Sequence, residues 1–231
     1  MSSIRVVFGF DMETDIGSWT PFYEGFVKGT PVILDVLKKN GVTSTFYFTG
    51  DSVQKHPEIV KLVKKAGHEI GAHSLYHETV GDPLFEIPGI APLLPWEVEP
   101  RLKLCTELVE KAAGTRPRSF RCPRLFGSTA VVNALENLGY LTDASYPMYF
   151  YKEQLEPYHP DKNDWTKRGS MKLVELPNFA DLSMKSKDKY GRDMDQWPLF
   201  RTESAEKLFA HIDGYISHCE KRGVSPFLCF Y

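Results

Sequence analysis

Cysteine is scarce in this chain, and its pattern is uninformative for metal binding. Cys105, Cys122, Cys219 and Cys229 stand 17, 97 and 10 residues apart. No Cys-x-x-Cys pair exists, which excludes the usual zinc cysteine sites. Four reduced, mostly buried thiols in a cytoplasmic protein are expected. Long apolar runs are also missing, and none approaches the ~18 residues of a membrane span. The N-terminus lacks a basic segment followed by an apolar core and a small-residue cleavage site, so no signal peptide is expected. Charge of one sign is not in excess either. Lys and Arg number 28 against 30 Asp and Glu, a net −2, which argues against nucleic-acid binding as the main function. No composition break marks a linker, so 231 residues read as one domain.

What is present is ordinary globular material, 42% apolar and 25% charged, with 13% aromatics to fill a core or line a sugar site. Residues 4–10 are β-branched and aromatic, and read as a buried strand. Thr30 as N-cap and Pro31 at the first helical position open a helix that Lys38, Lys39 and Gly41 close. Further strands are expected at 43–48, 68–72, 118–121, 140–143, 172–175 and 226–231. Helices are expected from His56-Pro57 to Ala66, and at 96–113, 128–138 and 202–222, most of them ended by glycine. Seven strands separated by helices predict a parallel sheet, as a closed or nearly closed barrel or a wide open sheet. Three long stretches, 12–29, 79–95 and 147–170, interrupt the pattern and suit functional loops. In a parallel barrel the catalytic face is built from the loops after strands. That places the site among Asp11 and Glu13, His73 and His77, Arg121 and Arg124, and Asp143.

Each motif has a chemical and a plain reading. Alternation along an extended chain points Asp11 and Glu13 to one side, as a working pair or as two solvated loop acids. His73 and His77 are four apart, a spacing that suits a divalent metal or one buried and one exposed imidazole. Two histidines and a carboxylate form a common catalytic zinc set, and a further free carboxylate can act as base. Arg121 can pair with that base and hold its pKa down, or lie on the surface. Asp143 can partner the arginine, accept from substrate or stabilise a turn. His56 and His68 read as structural, and His159, His211 and His218 receive no role.

Taken together, these residues resemble the polysaccharide deacetylase family, the group with the NodB homology domain. Phe10-Asp11-Met12-Glu13 resembles its acid motif, with glutamate where aspartate is commoner. His73-Ser74-Leu75-Tyr76-His77, preceded by residues 66–72, matches its histidine motif. Arg121-Cys122-Pro123 matches its Arg-x-Pro motif, and residues 139–145 are similar to its fourth. Leu176-Pro177-Asn178-Phe179 looks familiar from the subgroup with one residue between the acids.

The resemblance implies a single distorted (β/α)7 barrel with mostly parallel strands. It implies a divalent metal, zinc first, on Glu13, His73 and His77, with Asp11 as base and Arg121 orienting it. Substrate contacts are expected from Tyr76, Cys122, Pro123, Asp143 and Trp19. Backbone N–H groups near Tyr76 or Cys122 are expected to hold an oxyanion. Trp19, Phe22, Tyr23, Trp96 and Phe126 are candidates for sugar-stacking walls or core. The family's last strand runs into a histidine, absent here, so the chain is expected to be cut short at Tyr231. The implied substrate is an acetylated amino sugar. Rival expectations are a hydrolase of small non-sugar amides or cyclic imides, and an inactive carbohydrate-binding barrel. Neither nucleic acid nor membrane is an expected partner, and homo-oligomerisation is left open.

Overall fold

The computed structural model describes residues 4–16, 20–187, 193–196 and 203–231. In chain order the strands are β1 (Arg5–Met12), β2 (Thr45–Phe48), β3 (Glu69–Ala72), β4 (Ser119–Phe120), β5 (Thr142–Asp143) and β6 (Val174–Glu175), then β7 (Asp181–Lys187), β8 (Asp193–Gln196) and β9 (Phe227–Phe230). The helices are α1 (Glu24–Lys39), α2 (Gly50–Lys55), α3 (Pro57–Lys65), α4 (Pro95–Ala113), α5 (Thr129–Asn137), α6 (Met148–Tyr151) and α7 (Ala205–Glu220). Seven strands form one parallel sheet in the order β6-β5-β4-β3-β2-β1-β9, while β7 and β8 form a separate antiparallel hairpin. The parallel strands fall where the alternation of apolar runs and helices predicts them.

The sheet curls into a distorted half-barrel. Its two edges are joined by irregular chain: Phe179 N, past the end of β6, donates to Cys229 O of β9 at 2.8 Å. Asn178 Nδ2 donates to Ala144 O at 2.7 Å, and tethers the same segment to β5. Helices cover the outside, so central strands are buried on both faces. All four residues of β2 are buried. Phe46 and Phe48 of β2 join Val60, Val63, Leu102 and Val109 in one continuous apolar core.

Four expectations change. Thr30 and Pro31 do not start α1, which begins at Glu24, two turns earlier. Thr30 Oγ1 donates to Phe26 O at 2.6 Å, so the side chain bonds back into the helix instead of capping it. The end of the 12–29 stretch, residues 24–29, is therefore helix rather than loop. The 147–170 stretch is pinned rather than open: it forms bridges from Tyr158 to Glu175 and from Pro160 to Arg168. Its Tyr158 and Trp165 pack on Tyr146. Short α2, short α6 and the hairpin have no counterpart in the sequence reading. The start of the 202–222 helix prediction lies partly outside the described residues; within them α7 is capped by Ser204, whose Oγ accepts from Lys207 N. All four cysteines are free and buried.

Candidate metal centre and active site

Strand ends supply the polar groups. Asp11 lies in the last turn of pleat of β1, opposite Tyr47 in the β1–β2 register, and Glu13 follows the strand. The loop after β3 carries His73 and His77. Ser74 and His77 have positive φ, 64° and 59°, a region that non-glycine residues adopt at a cost of ~1–3 kcal/mol each. Surrounding bonds hold them there. Gly50 N donates to Ser74 O at 3.0 Å and Asp51 N to Leu75 O at 2.9 Å. Cys105 Sγ donates to Ser74 O at 2.8 Å. The Glu78 carboxylate accepts from Leu75 N and Tyr76 N.

Glu13, His73 and His77 each place one donor atom within 4.8 Å of the others. His77 Nε2 stands 2.9 Å from Glu13 Oε2. His73 Nδ1 pairs with Arg121 O at 2.7 Å, which fixes the ring with Nδ1 protonated and Nε2 bare. His73 Nε2 is buried without a hydrogen-bond donor, and Glu13 Oε2 faces the His77 ring without a well-aligned bond, a costly state for such groups unless something satisfies them. Burial holds both imidazoles neutral, with His77 lowered to about 4. Burial also raises the Glu13 carboxyl to about 7, so the chain alone compensates its charge poorly. Two neutral imidazole nitrogens and a carboxylate oxygen, short of a positive charge, fit a divalent cation.

Arg121 is fully buried beneath this set. Its Nη1 donates to Asp11 Oδ1 at 3.0 Å, its Nε to Ala144 O at 3.2 Å and its Nη2 to Phe230 O at 3.3 Å. Its guanidinium lies 4.4 Å from the Tyr47 ring centre and 5.7 Å from that of Tyr231. Burial by itself would raise the Asp11 carboxyl, but the charges of His73 and Arg121 oppose this and hold it below its ordinary value. Because burial keeps His73 neutral, Arg121 is the charge that acts near neutral pH. Asp11 Oδ2 is left 3.8 Å from His73 Nε2. A fixed, ionised carboxylate beside a cation site can accept a proton from water.

The structure thus brings Asp11, Glu13, His73, His77 and Arg121 together. Tyr76 lies on the rim, 56% exposed. Cys122, Pro123 and Asp143, expected to contact substrate, are all buried. Asp143 Oδ1 accepts from Ser145 Oγ at 2.5 Å, and its carboxyl pairs with that of Glu175. The expected oxyanion donors are also engaged elsewhere, Cys122 N with Ser145 Oγ at 2.8 Å and Tyr76 N with Glu78 Oε2 at 2.6 Å. Trp19 lies outside the described residues. Among the other aromatics Tyr23 and Phe126 are buried, whereas Phe22 and Trp96 are exposed.

His56 packs against Tyr23 and Phe26, and His68 Nδ1 accepts from Ser44 N. His211, given no role, is buried between Asp181 and Glu203. Sequence reasoning missed Tyr47, Asp51, Lys55 and Glu175. Tyr47 and Asp51 had a usable signal, since both lie near the C-terminal end of a predicted strand.

The polysaccharide deacetylase family model matches residues 10–142. Over 123 residues the chain is 34% identical to peptidoglycan-N-acetylmuramic acid deacetylase PdaA of Bacillus subtilis, covering 52% of this chain and 43% of that protein. Over 133 residues it is 31% identical to a peptidoglycan-N-acetylglucosamine deacetylase of Bacillus cereus, covering 47% and 45%. The chain therefore spans less than half the length of these relatives. A candidate polysaccharide deacetylase from Mycobacterium smegmatis has a similar structure, with a TM-score of 0.65 at 20% identity over 99% of this chain and 77% of that one. PuuE allantoinase gives 0.62 at 15% identity with the same coverage. At these identities the two structures show the shared fold.

Proposed function

Because this chain belongs to the polysaccharide deacetylase family, we propose that it is a metal-dependent hydrolase that removes an acetyl group from an N-acetylated sugar. The observation that carries this reading is the meeting of Asp11, tied to Arg121, with the Glu13–His73–His77 donor set. Those three residues would hold the ion, and zinc best suits two imidazoles and one carboxylate. When bound, the ion supplies Lewis-acid polarisation of an acyl oxygen and a lowered pKa for water.

The chain's own residues supply and orient the base. Asp11 Oδ2 receives the proton of the attacking water, while Oδ1 stays committed to Arg121 Nη1. Arg121 keeps Asp11 ionised and aimed. The Nδ1–H bond from His73 to Arg121 O couples the ligand ring to the arginine's own backbone.

Elemental analysis and acetate release from chitooligosaccharides, set beside a panel of cyclic imides, test the reading. Asp11→Asn is expected to keep its metal and lose about 10²–10⁴ in turnover, the usual contribution of a general base. His73→Ala or His77→Ala is expected to lose metal and turnover together. Full activity in either histidine variant overturns the metal assignment. Loss of metal in Asp11→Asn reverses the roles of the two acids. Turnover of the imides alone moves the enzyme to small-amide hydrolysis.

A further inference from the structure

Beside the donor set lies a cleft of about 170 Å³, room for about six water molecules at ~30 Å³ each. Glu13 and His77 form one wall, and Thr49, Asp51, Lys55 and Tyr76 most of the rest. Asp51 and Lys55 take no part in the proton transfer or the cation set. They are nevertheless held in place. Lys55 Nζ donates to Asp51 Oδ2 at 2.9 Å, and the hydroxyl of Tyr23, itself a buried residue, donates to the same oxygen. Lys55 Nζ also sits 5.2 Å from the centre of the Tyr23 ring, within cation–π range. Both residues come from α2, whose N-cap Thr49 accepts from Ser52 N. The backbone of that helix start is bonded to the histidine loop through Asp51 N and Leu75 O. The pair therefore keeps a fixed relation to His77.

The pair has unused capacity. No described hydrogen bond engages Asp51 Oδ1. Lys55 is half-exposed and has two N–H groups beyond the one given to Asp51. An acceptor and a donor held side by side suit neighbouring sugar hydroxyls, since each hydroxyl can both donate and accept. The exposed Tyr76 ring offers an apolar face at the same rim. Lys55 is already neutralised by Asp51, so the side chains of this cleft present no uncompensated cation to a carboxylate.

We propose that Asp51 and Lys55 form a specificity subsite that binds paired hydroxyls of a neutral amino sugar next to the reacting acyl group, and that discriminates against carboxylate-bearing sugars. This rests on the deacetylase reading and narrows its substrate. The test is calorimetric titration of the metal-loaded protein with tri-N-acetylchitotriose and with a muramic-acid-containing disaccharide, using wild type, Lys55→Met and Lys55→Arg. Wild type is expected to bind the neutral trimer more tightly. Lys55→Met is expected to weaken that binding about 10-fold, as for loss of a charged hydrogen bond, while Lys55→Arg retains it. In turnover the same factor is expected in KM with kcat unchanged. Equal binding by natively folded Lys55→Met, or tighter wild-type binding of the muramic sugar, overturns the subsite. Trimer binding that depends on Lys55 without acetate release keeps the subsite and sinks the deacetylase reading. Acetate release with KM unmoved in Lys55→Met does the reverse. No binding of either sugar removes both.

Discussion

A methyl group on Gly9 would lie 2.4 Å from Arg121 Nη2 and 2.8 Å from the Tyr47 ring. One on Gly71 would lie 2.6 Å from the same tyrosine. These two glycines are small because the half-barrel interior is filled by a tyrosine and a stacked guanidinium. A buried charge is tolerated only when it is paired and hydrogen-bonded, and Arg121 is paired with Asp11 and bonded to Ala144 O and Phe230 O. The same packing sets the aim of Asp11. Gly9→Ala should therefore do two things at once. Overpacking should cost about 1–3 kcal/mol of stability, read as a shift in denaturation midpoint. Displacement of the guanidinium should lower kcat at least about 10-fold, as small misplacements at a catalytic group do, while metal stoichiometry stays at the wild-type value. Unchanged kcat would mean that Arg121 can move without disturbing the base.

At the scale of the element, α1 shows where local signals mislead. Thr-Pro is a strong helix-start signal because proline needs no N–H in the first turn. Here Pro31 sits at the middle of a 16-residue helix, where the missing N–H removes a bond to Val27 O and the ring crowds that carbonyl. The earlier turns persist because their apolar face is buried: Phe26 and Leu34 both lie in the core. Pro31→Ala restores the bond. The gain is offset by greater freedom of the unfolded chain, so a net rise of about 1–2 kcal/mol is expected from chemical denaturation, with metal binding unchanged.

The parallel strands were legible from the sequence because β-branched and aromatic runs between glycine-ended helices carry a strong pattern. The Asp11, Glu13, His73, His77 and Arg121 constellation was legible because each residue follows such a strand. Helices of four to six residues and the β7–β8 hairpin were not, since tertiary contacts rather than periodicity decide them. Nor was the fate of Asp143. A carboxylate after a strand reads the same whether it faces substrate or a buried partner, and only the β5–β6 register, which sets Asp143 beside Glu175, separates the two.

That partner bears on the stability of the whole molecule. Glu175 Oε1 accepts from Ser145 N at 2.9 Å and Tyr146 N at 2.8 Å, so it pins the chain leaving β5 to the edge strand β6. From there the chain runs on to close the curled sheet against β9. Asp143 Oδ2 and Glu175 Oε2 are both buried with no donor from elsewhere, and two such carboxyls cannot both ionise cheaply. Burial raises Asp143 to about 6 and, together with the neighbouring Asp143 charge, raises Glu175 well above its ordinary range. The folded protein thus keeps at least one proton that the unfolded chain releases. By linkage, this stabilisation is complete below the unfolded carboxyl values near 4 and is lost as pH rises through about 6 and beyond. Glu175→Gln keeps Oε1 as acceptor for both backbone N–H groups and places an amide donor toward Asp143 Oδ2, with no proton to lose at that position. The variant should lose less stability than wild type between pH 5 and pH 8, by on the order of 2 kcal/mol in urea denaturation. Glu175→Leu, which leaves both N–H groups unpaired, should instead be destabilised at every pH by about 1–3 kcal/mol per group. Parallel pH profiles for wild type and Glu175→Gln would show that the pair holds no extra proton, and that closure of the sheet does not depend on one.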